Sequence, residues 1–420
     1  MPVLLRAAIV LAASVVPSLA TAQDVPPVAC EPRTGHDNYR TQRTLAVDPG
    51  RPDVVWIGVE FRGVFKSVDA GATWARADNG ITGYPILSRP DERCIPEMGR
   101  TVVDPADSNH VLLSRIDSPG TLAMPNSENA GLWETRDGGQ NWTQLLKPEM
   151  NASGSAALAI APGNASVIYL GTNNNRASWT GAPDQLFNTG GILYRTADGG
   201  ATWRELPTGA PESLRARAVF VNPANANQLW FVVYHVTNDG IIVPERQWTY
   251  LESSDGGQTW QRGADRFPMA YRVPADADVA RARFDHRLVV TQTPDGPQAS
   301  FFTTDGGRTW QRTPFYLFVA RYSPHDSTGR HIVGYRSFDD PGLWESRDAG
   351  ATWTRLANTP SEVDHRSAFG VRISEIVWHP VDPNILYMSG SGGYVWRSSD
   401  GGRNWVTVLS LEQTGGRTRR

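Results

Sequence analysis

Two sets of residues in this chain carry side chains able to do chemistry. The first pairs a hydroxyl with a carboxylate in "SVDAGATW" (67–74), where Ser67 and Asp69 stand as a nucleophile and its partner acid could. The second is a scatter of arginines with a few acids, histidines and a tyrosine. Glu60, Asp117, His235, His365, Glu375 and Tyr335 fall among Arg43, Arg62, Arg100, Arg115, Arg217 and Arg336. A carboxylate with an imidazole gives general acid–base chemistry near neutral pH. Arginine grips a carboxylate with two hydrogen bonds at once.

The first set repeats. "TRDGGQNW" (135–142), "TADGGATW" (196–203), "SSDGGQTW" (253–260), "TTDGGRTW" (303–310), "SRDAGATW" (346–353) and "SSDGGRNW" (398–405) share its pattern. A catalytic group is needed once or twice, not seven times. Asp69, Asp137, Asp198, Asp255, Asp305, Asp348 and Asp400 are therefore read as structural. Each carboxylate can accept N–H groups of its own turn, each shared glycine suits positive φ, and each tryptophan can bury its ring.

The flanks repeat as well. Runs such as "TLAVDP", "VVWIGV" and "GVFKS" precede the first motif, and a fourth short run follows each tryptophan. These β-branched and aromatic runs, bounded by Gly, Pro and Asp turns, predict four short strands (A to D) per unit. Seven such units predict an all-β, seven-bladed propeller of four antiparallel strands per blade. The motif forms each C–D hairpin. In the fifth unit, strand A is expected at "MAYRVP" and 275–286 as a long loop. No N-terminal strand that would close the ring by completing blade seven is evident.

The motif resembles the Asp-box, or bacterial neuraminidase repeat, of sialidases, xyloglucan-specific glucanases, sortilin-type receptors and photosystem II assembly factors. The resemblance spans about 43–411 and speaks to fold more than to function. "GVEFRGVFKS" is similar to the first repeat of the xyloglucan-specific glucanases, which implies Glu60 in the place of their catalytic base. In that family a second propeller supplies the partner acid, since hydrolysis of this kind uses two carboxylates. Asp117 or Glu375 are the partners within reach of this chain. The sialidase likeness is poorer, because no Arg-Ile-Pro segment occurs. A likeness to the assembly factors implies a partner protein and no catalysis.

Propeller topology puts the A–B and C–D loops on one face and the B–C and D–A connections on the other. The long insertions (78–99, 116–130, 173–190, 236–247 and 357–373) fall on the B–C/D–A face. Loops on a rigid scaffold are where function concentrates. Strand ends at that mouth are expected to present Arg43, Arg62, Arg100, Arg115, Arg217, His235, Tyr335, Arg336 and Glu375, with Arg272 or Arg321 from blades five and six. The alternative is a set of solvated or paired arginines lining a wet channel. His365, in "DHR", is a candidate acid or base, or an ordinary surface histidine.

A net charge of −3 with a pI near 6.3 argues against nucleic acid. Arg6 before "AAIVLAASVV", then Ala20-Thr21-Ala22, reads as a cleaved signal over 1–22 and hence as secretion or export to a periplasm. Residues 23–42 form an N-terminal segment, 43–411 the propeller and 412–420 a disordered tail. No membrane span, metal or cofactor is expected, and the chain reads as a monomer. The two cysteines, Cys30 and Cys94, are expected to bridge in an oxidising compartment. The function expected is an exported carbohydrate-active enzyme, a glycoside hydrolase or polysaccharide lyase acting on a polysaccharide or anionic glycan. The other reading is a non-catalytic propeller that binds a protein or glycan.

Overall fold

The computed structural model describes residues 44–59, 62–81, 84–86, 89–94, 98–115, 131–146, 154–172, 193–209, 214–235, 250–263, 273–292, 299–337, 339–363 and 371–411. Their strands form seven four-stranded antiparallel sheets, each with its strands in sequence order, and one extra two-stranded hairpin. The architecture is the seven-bladed propeller that the repeats predict. The hairpin (Tyr84–Ile86 with Arg89–Cys94) lies in the D–A connection between blades one and two. No helix among the described residues is long and apolar enough to cross a membrane.

A blade is apolar on both faces because both are covered. In blade one, strand B (Val55–Val59) is buried at every position. The described apolar core divides into seven clusters, and each joins one blade to the next. Each box tryptophan packs into the seam with the preceding blade: Trp142 into that of blades one and two, Trp260 into that of blades three and four.

All seven boxes use one set of hydrogen bonds. In blade three, Thr196 Oγ1 donates to Asp198 Oδ1 (2.7 Å) and accepts the Gly200 N–H (2.9 Å). Asp198 also accepts the Thr202 N–H (2.9 Å) and hydroxyl (2.5 Å). These donors hold the carboxylate low, at about 2 for Asp198, Asp137 and Asp255. The box glycine has two reasons to be glycine. Gly139 sits at φ 90°, and a Cβ there would stand 2.7 Å from the Trp56 ring of the preceding blade.

Among the described residues the ring closes without strand exchange. Blade seven takes all four strands from the C-terminal end (Ile373–Trp378, Leu386–Gly390, Tyr394–Ser398, Val406–Leu409), and blade one keeps its own short strand A, Ala46–Val47. Side chains make the closing seam. Ile57 and Phe65 pack with Tyr387, Val395 and Leu409. Trp74 Nε1 donates to Val408 O (3.0 Å), and the Tyr387 hydroxyl to Ala70 O (3.1 Å).

Blade five departs from the expected register. Strand A is Val273–Ala280 and strand B is Arg283–Gln292, joined by a turn at Arg281 and Ala282. The segment 275–286 is thus two strands and their turn, not a long loop. Its "ADADV" looks like loop because aspartates are poor strand formers. They are tolerated because Asp276 and Asp278 share the face of the strand that looks into the channel, where partners await them.

Candidate functional site

The channel wall follows from pairing register. In every blade, one B-strand residue pairs with the box Ser or Thr, and its A-strand partner can be read off. The residue just before that partner is Ala46, Val102, Ala159, Phe220, Asp278, Arg321 or Val377 in blades one to seven. All seven are half-buried, whereas the residue before each is buried. This ring lines the axis. Five of its members are apolar; Asp278 and Arg321 are not.

Two residues earlier, blades two, five and seven place Arg100, Asp276 and Glu375 at one equivalent position. A register irregularity precedes each of them, between Met98 and Arg100, Pro274 and Asp276, and Ile373 and Glu375. Such bulges re-aim side chains. Arg321 lies between the two acids. Its Nη1 meets Asp276 Oδ2 at 2.5 Å, and its Nη2 meets Glu375 Oε1 at 2.7 Å. Glu375 Oε1 also accepts the Ile376 N–H (2.9 Å). Burial opposes the Arg321 charge, but Asp276, Glu375 and Asp278 outweigh it and hold the guanidinium protonated. Asp278 Oδ2 accepts the Tyr322 N–H (2.7 Å). Burial pushes its carboxyl up to about 6, against the pull of Arg321.

These groups border an axial cavity of about 260 Å³. It runs from Arg100, Arg321 and Glu375 to Pro49, Arg281, Pro324 and Pro380 in the A–B turns. The cavity therefore extends toward the box face, away from the mouth expected from loop length.

The arginines and acids expected at that mouth separate. Arg100, half-buried, and Glu375, buried in its ion pair, line the cavity. Arg115 is enclosed, 5.5 Å above the Trp133 ring, and Arg62 is buried too. Tyr335 is a core residue of the seam between blades six and seven, and burial raises its hydroxyl far above the usual range. Arg62, Arg115 and Tyr335 are thus buried and not exposed at an open mouth. Arg336 lies 4.7 Å above Phe315 and 5.7 Å from Trp344. Arg217 is half-buried at a register irregularity between Ala216 and Ala218. His235 ends strand B of blade four (Asn225–His235). Of blades five and six, Arg321 is the residue that reaches the channel, and Arg272 lies outside the described residues. Arg43, Glu60, Asp117, His365 and Cys30 also lie outside them. So do most of the long insertions on the B–C/D–A face.

Sequence reasoning passed over Asp276, Asp278 and Arg281. The alternation of Asp276 and Asp278 was a usable signal, since period-two spacing puts both on one strand face. It also passed over a buried chain in blade two. His110 Nδ1 meets Asp104 Oδ2 and Nε2 meets Glu134 Oε1, each at 2.8 Å, and Arg136 backs Glu134 at 2.8 Å. Burial works against the charged ring, but the two carboxylates hold its pKa above the usual histidine value. With both nitrogens engaged by carboxylates, His110 is a brace. His286, Nδ1 on Gly329 O at 2.8 Å, is a buried brace as well.

A family description, "BNR/Asp-box repeat", matches residues 301–312, the fifth box and its flanks. A xyloglucanase from Paenibacillus sp is 22% identical over 340 residues, 70% of this chain and 31% of its own length. The GH74 enzyme of Niastella koreensis superposes with a TM-score of 0.63 at 15% identity, over 89% of this chain and 55% of that one. YCF48 from Cyanidioschyzon merolae superposes with a TM-score of 0.52 at 15% identity, over 89% of this chain and 97% of that one. The chain thus spans about a third of the xyloglucanase that it matches, and nearly all of YCF48. What these likenesses carry is the fold, and the chain is an Asp-box, seven-bladed β-propeller.

Proposed function

We propose that the chain is an exported carbohydrate-active protein of glycoside hydrolase type, acting on a polysaccharide at the B–C/D–A face. One observation carries this reading: the sequence similarity to a xyloglucanase runs across 70% of this chain, not just through one repeat. The catalytic acids and base belong on the B–C and D–A connections of that face, with Glu60, Asp117 and His365 the residues of suitable chemistry. Arg100 and Arg217 orient the bound glycan from the strand ends below. Two carboxylates several ångströms apart are the requirement of such hydrolysis.

The test is incubation of purified protein with xyloglucan and with neutral and acidic polysaccharides, reading new reducing ends and the absorbance of unsaturated uronates. Xyloglucan or another neutral glucan is the expected substrate. Glu60→Gln and His365→Ala are expected to lower turnover at least about 100-fold, the ordinary contribution of a general acid or base. Unsaturated products would replace hydrolysis by elimination. Full activity in both variants would overturn the site assignment, and no turnover of any substrate would overturn the enzyme.

The second reading is a non-catalytic propeller that binds a protein or glycan. The near-complete coverage of YCF48 favours it, because that chain superposes over 97% of its length. Retention of the protein on an immobilised polysaccharide without products would support this reading over the first.

A further inference from the structure

Six charged groups stand around the axial cavity. Arg100, Arg281, Arg321, Asp278 and Glu375 line it, and Asp276 stands behind Arg321, paired with it. With Asp278 ionised their charges cancel. Arg321, Asp276 and Glu375 hold one another in place, so part of this wall is a fixed ionic frame. The rest of the lining is largely apolar and includes Ala46, Val102, Phe220 and Val377. Phe220 is stacked on Trp230 (5.1 Å between centroids, 21° between planes), which fixes its ring while leaving it half-exposed at the cavity. Asp278 also lines the cavity. It accepts backbone N–H groups of Tyr322 and Val279, which leaves acceptor capacity, since a carboxylate offers about four lone-pair sites.

This pairing of walls selects a ligand. An anion entering the cavity meets the carboxylates of Asp278 and Glu375, and a cation meets three guanidiniums. A neutral molecule with one apolar face and a rim of hydroxyls meets neither penalty, and a sugar ring is such a molecule. Its C–H face can lie on Phe220, and a pair of adjacent hydroxyls can donate to Asp278. Pockets for drug-sized ligands hold about 300–1,000 Å³, so about 260 Å³ suits one ring and not a chain.

We propose that the axial cavity is a subsite for a single neutral pyranose, with Phe220 beneath its apolar face and Asp278 accepting from its hydroxyls. The inference rests on the carbohydrate reading for ligand class alone. It requires no turnover and no residue of the long loops.

The experiment is a saturation-transfer NMR titration of the full chain with xylose, glucose and galactose, and with glucuronate as the charged counterpart. At least one neutral sugar is expected to saturate with a dissociation constant of about 1 mM, and glucuronate to bind about tenfold more weakly. Asp278→Asn and Phe220→Ala are each expected to weaken binding about tenfold, the loss of one good contact. Arg308→Ala, on an exposed box turn, is expected to leave it unchanged. The proposal is overturned by absence of saturation with any neutral sugar, by glucuronate binding as tightly, or by wild-type affinity in the two cavity variants. Thermal melts check the fold, and the near-isosteric Asp278→Asn decides should Phe220→Ala not fold. Polysaccharide turnover without sugar binding in the cavity sinks this inference alone. Sugar binding without turnover sinks the hydrolase alone.

Discussion

The box corner and the A strand of each blade come from the same repeat, and they have diverged to opposite degrees. All seven boxes keep one hydroxyl-to-carboxylate bond, from 2.7 Å in Thr196–Asp198 to 2.9 Å in Ser398–Asp400. The channel ring keeps nothing but its place: Ala46, Val102, Ala159 and Phe220 in blades one to four, then Asp278, Arg321 and Val377. A group that every blade needs is bracing the ring. A group found at one or two equivalent positions has been placed for something that happens once. That rule separates the aspartates in turns from Asp276 and Asp278, although all are the same residue type.

Removing one member from each region should show the difference. Arg321→Ala leaves Asp276 and Glu375 as buried carboxylates without their cation, a loss of about 3–5 kcal/mol. Asp348→Ala removes an exposed hydrogen-bond acceptor from one box, a loss of about 1 kcal/mol. Urea midpoints at neutral pH measure both. A box variant as damaging as Arg321→Ala would mean that the channel cluster is no more constrained than a turn.

Box glycines can be tested against a glycine of the A–B side in the same way. Gly139→Val combines a left-handed backbone with a collision against Trp56 of the neighbouring blade, for about 3 kcal/mol. Gly163 also has positive φ, at 74°, but nothing lies within 4 Å of where its Cβ would be. Gly163→Ala therefore carries the backbone cost alone, about 1 kcal/mol. Equal shifts in melting temperature would show that blade contact at the box is unimportant.

The regularity that makes the boxes legible also explains why the channel was not. Seven repeats revealed blade number, strand order and the role of Asp69 and its counterparts. They also pointed at loops by length, and length says nothing about which strand face meets the axis. Asp276 and Asp278 were misread because propensity argues against aspartate in a strand, and tertiary context overrode it: Arg321, from the next blade, is 45 residues away from Asp276 in sequence. Arg115 and Tyr335 were misread in the opposite sense. Both stand at or next to the end of a B strand as expected, but Tyr335 packs in the seam of blades six and seven and Arg115 is enclosed beside the Trp133 ring. The two ends of the ring likewise gave no sequence sign of closure, because among the described residues closure is by side chains such as Trp74 and Tyr387 and not by a shared strand.

The smallest expected effect is the sharpest on the comparison, because the two regions titrate in opposite senses. Box carboxylates are depressed to about 2 at Asp137, Asp198, Asp255, Asp305 and Asp400. Their contribution is present above the unfolded value of about 3.9 and is lost as pH falls toward 2. Asp278 is raised to about 6. Its protonated form favours the folded chain, a contribution present below about pH 3.9 and lost as pH rises through 6. Asp278→Asn abolishes that loss. The variant should match the wild type near pH 4 and exceed it at pH 7 by about 1 kcal/mol, a figure reduced for the solvent that reaches Asp278 from the channel. The measurement is a series of urea titrations from pH 3.5 to pH 7.5, a range in which about 4 and about 6 are both bracketed. Parallel curves for variant and wild type would show that Asp278 is ionised in both states, and would place it with the box aspartates instead of apart from them.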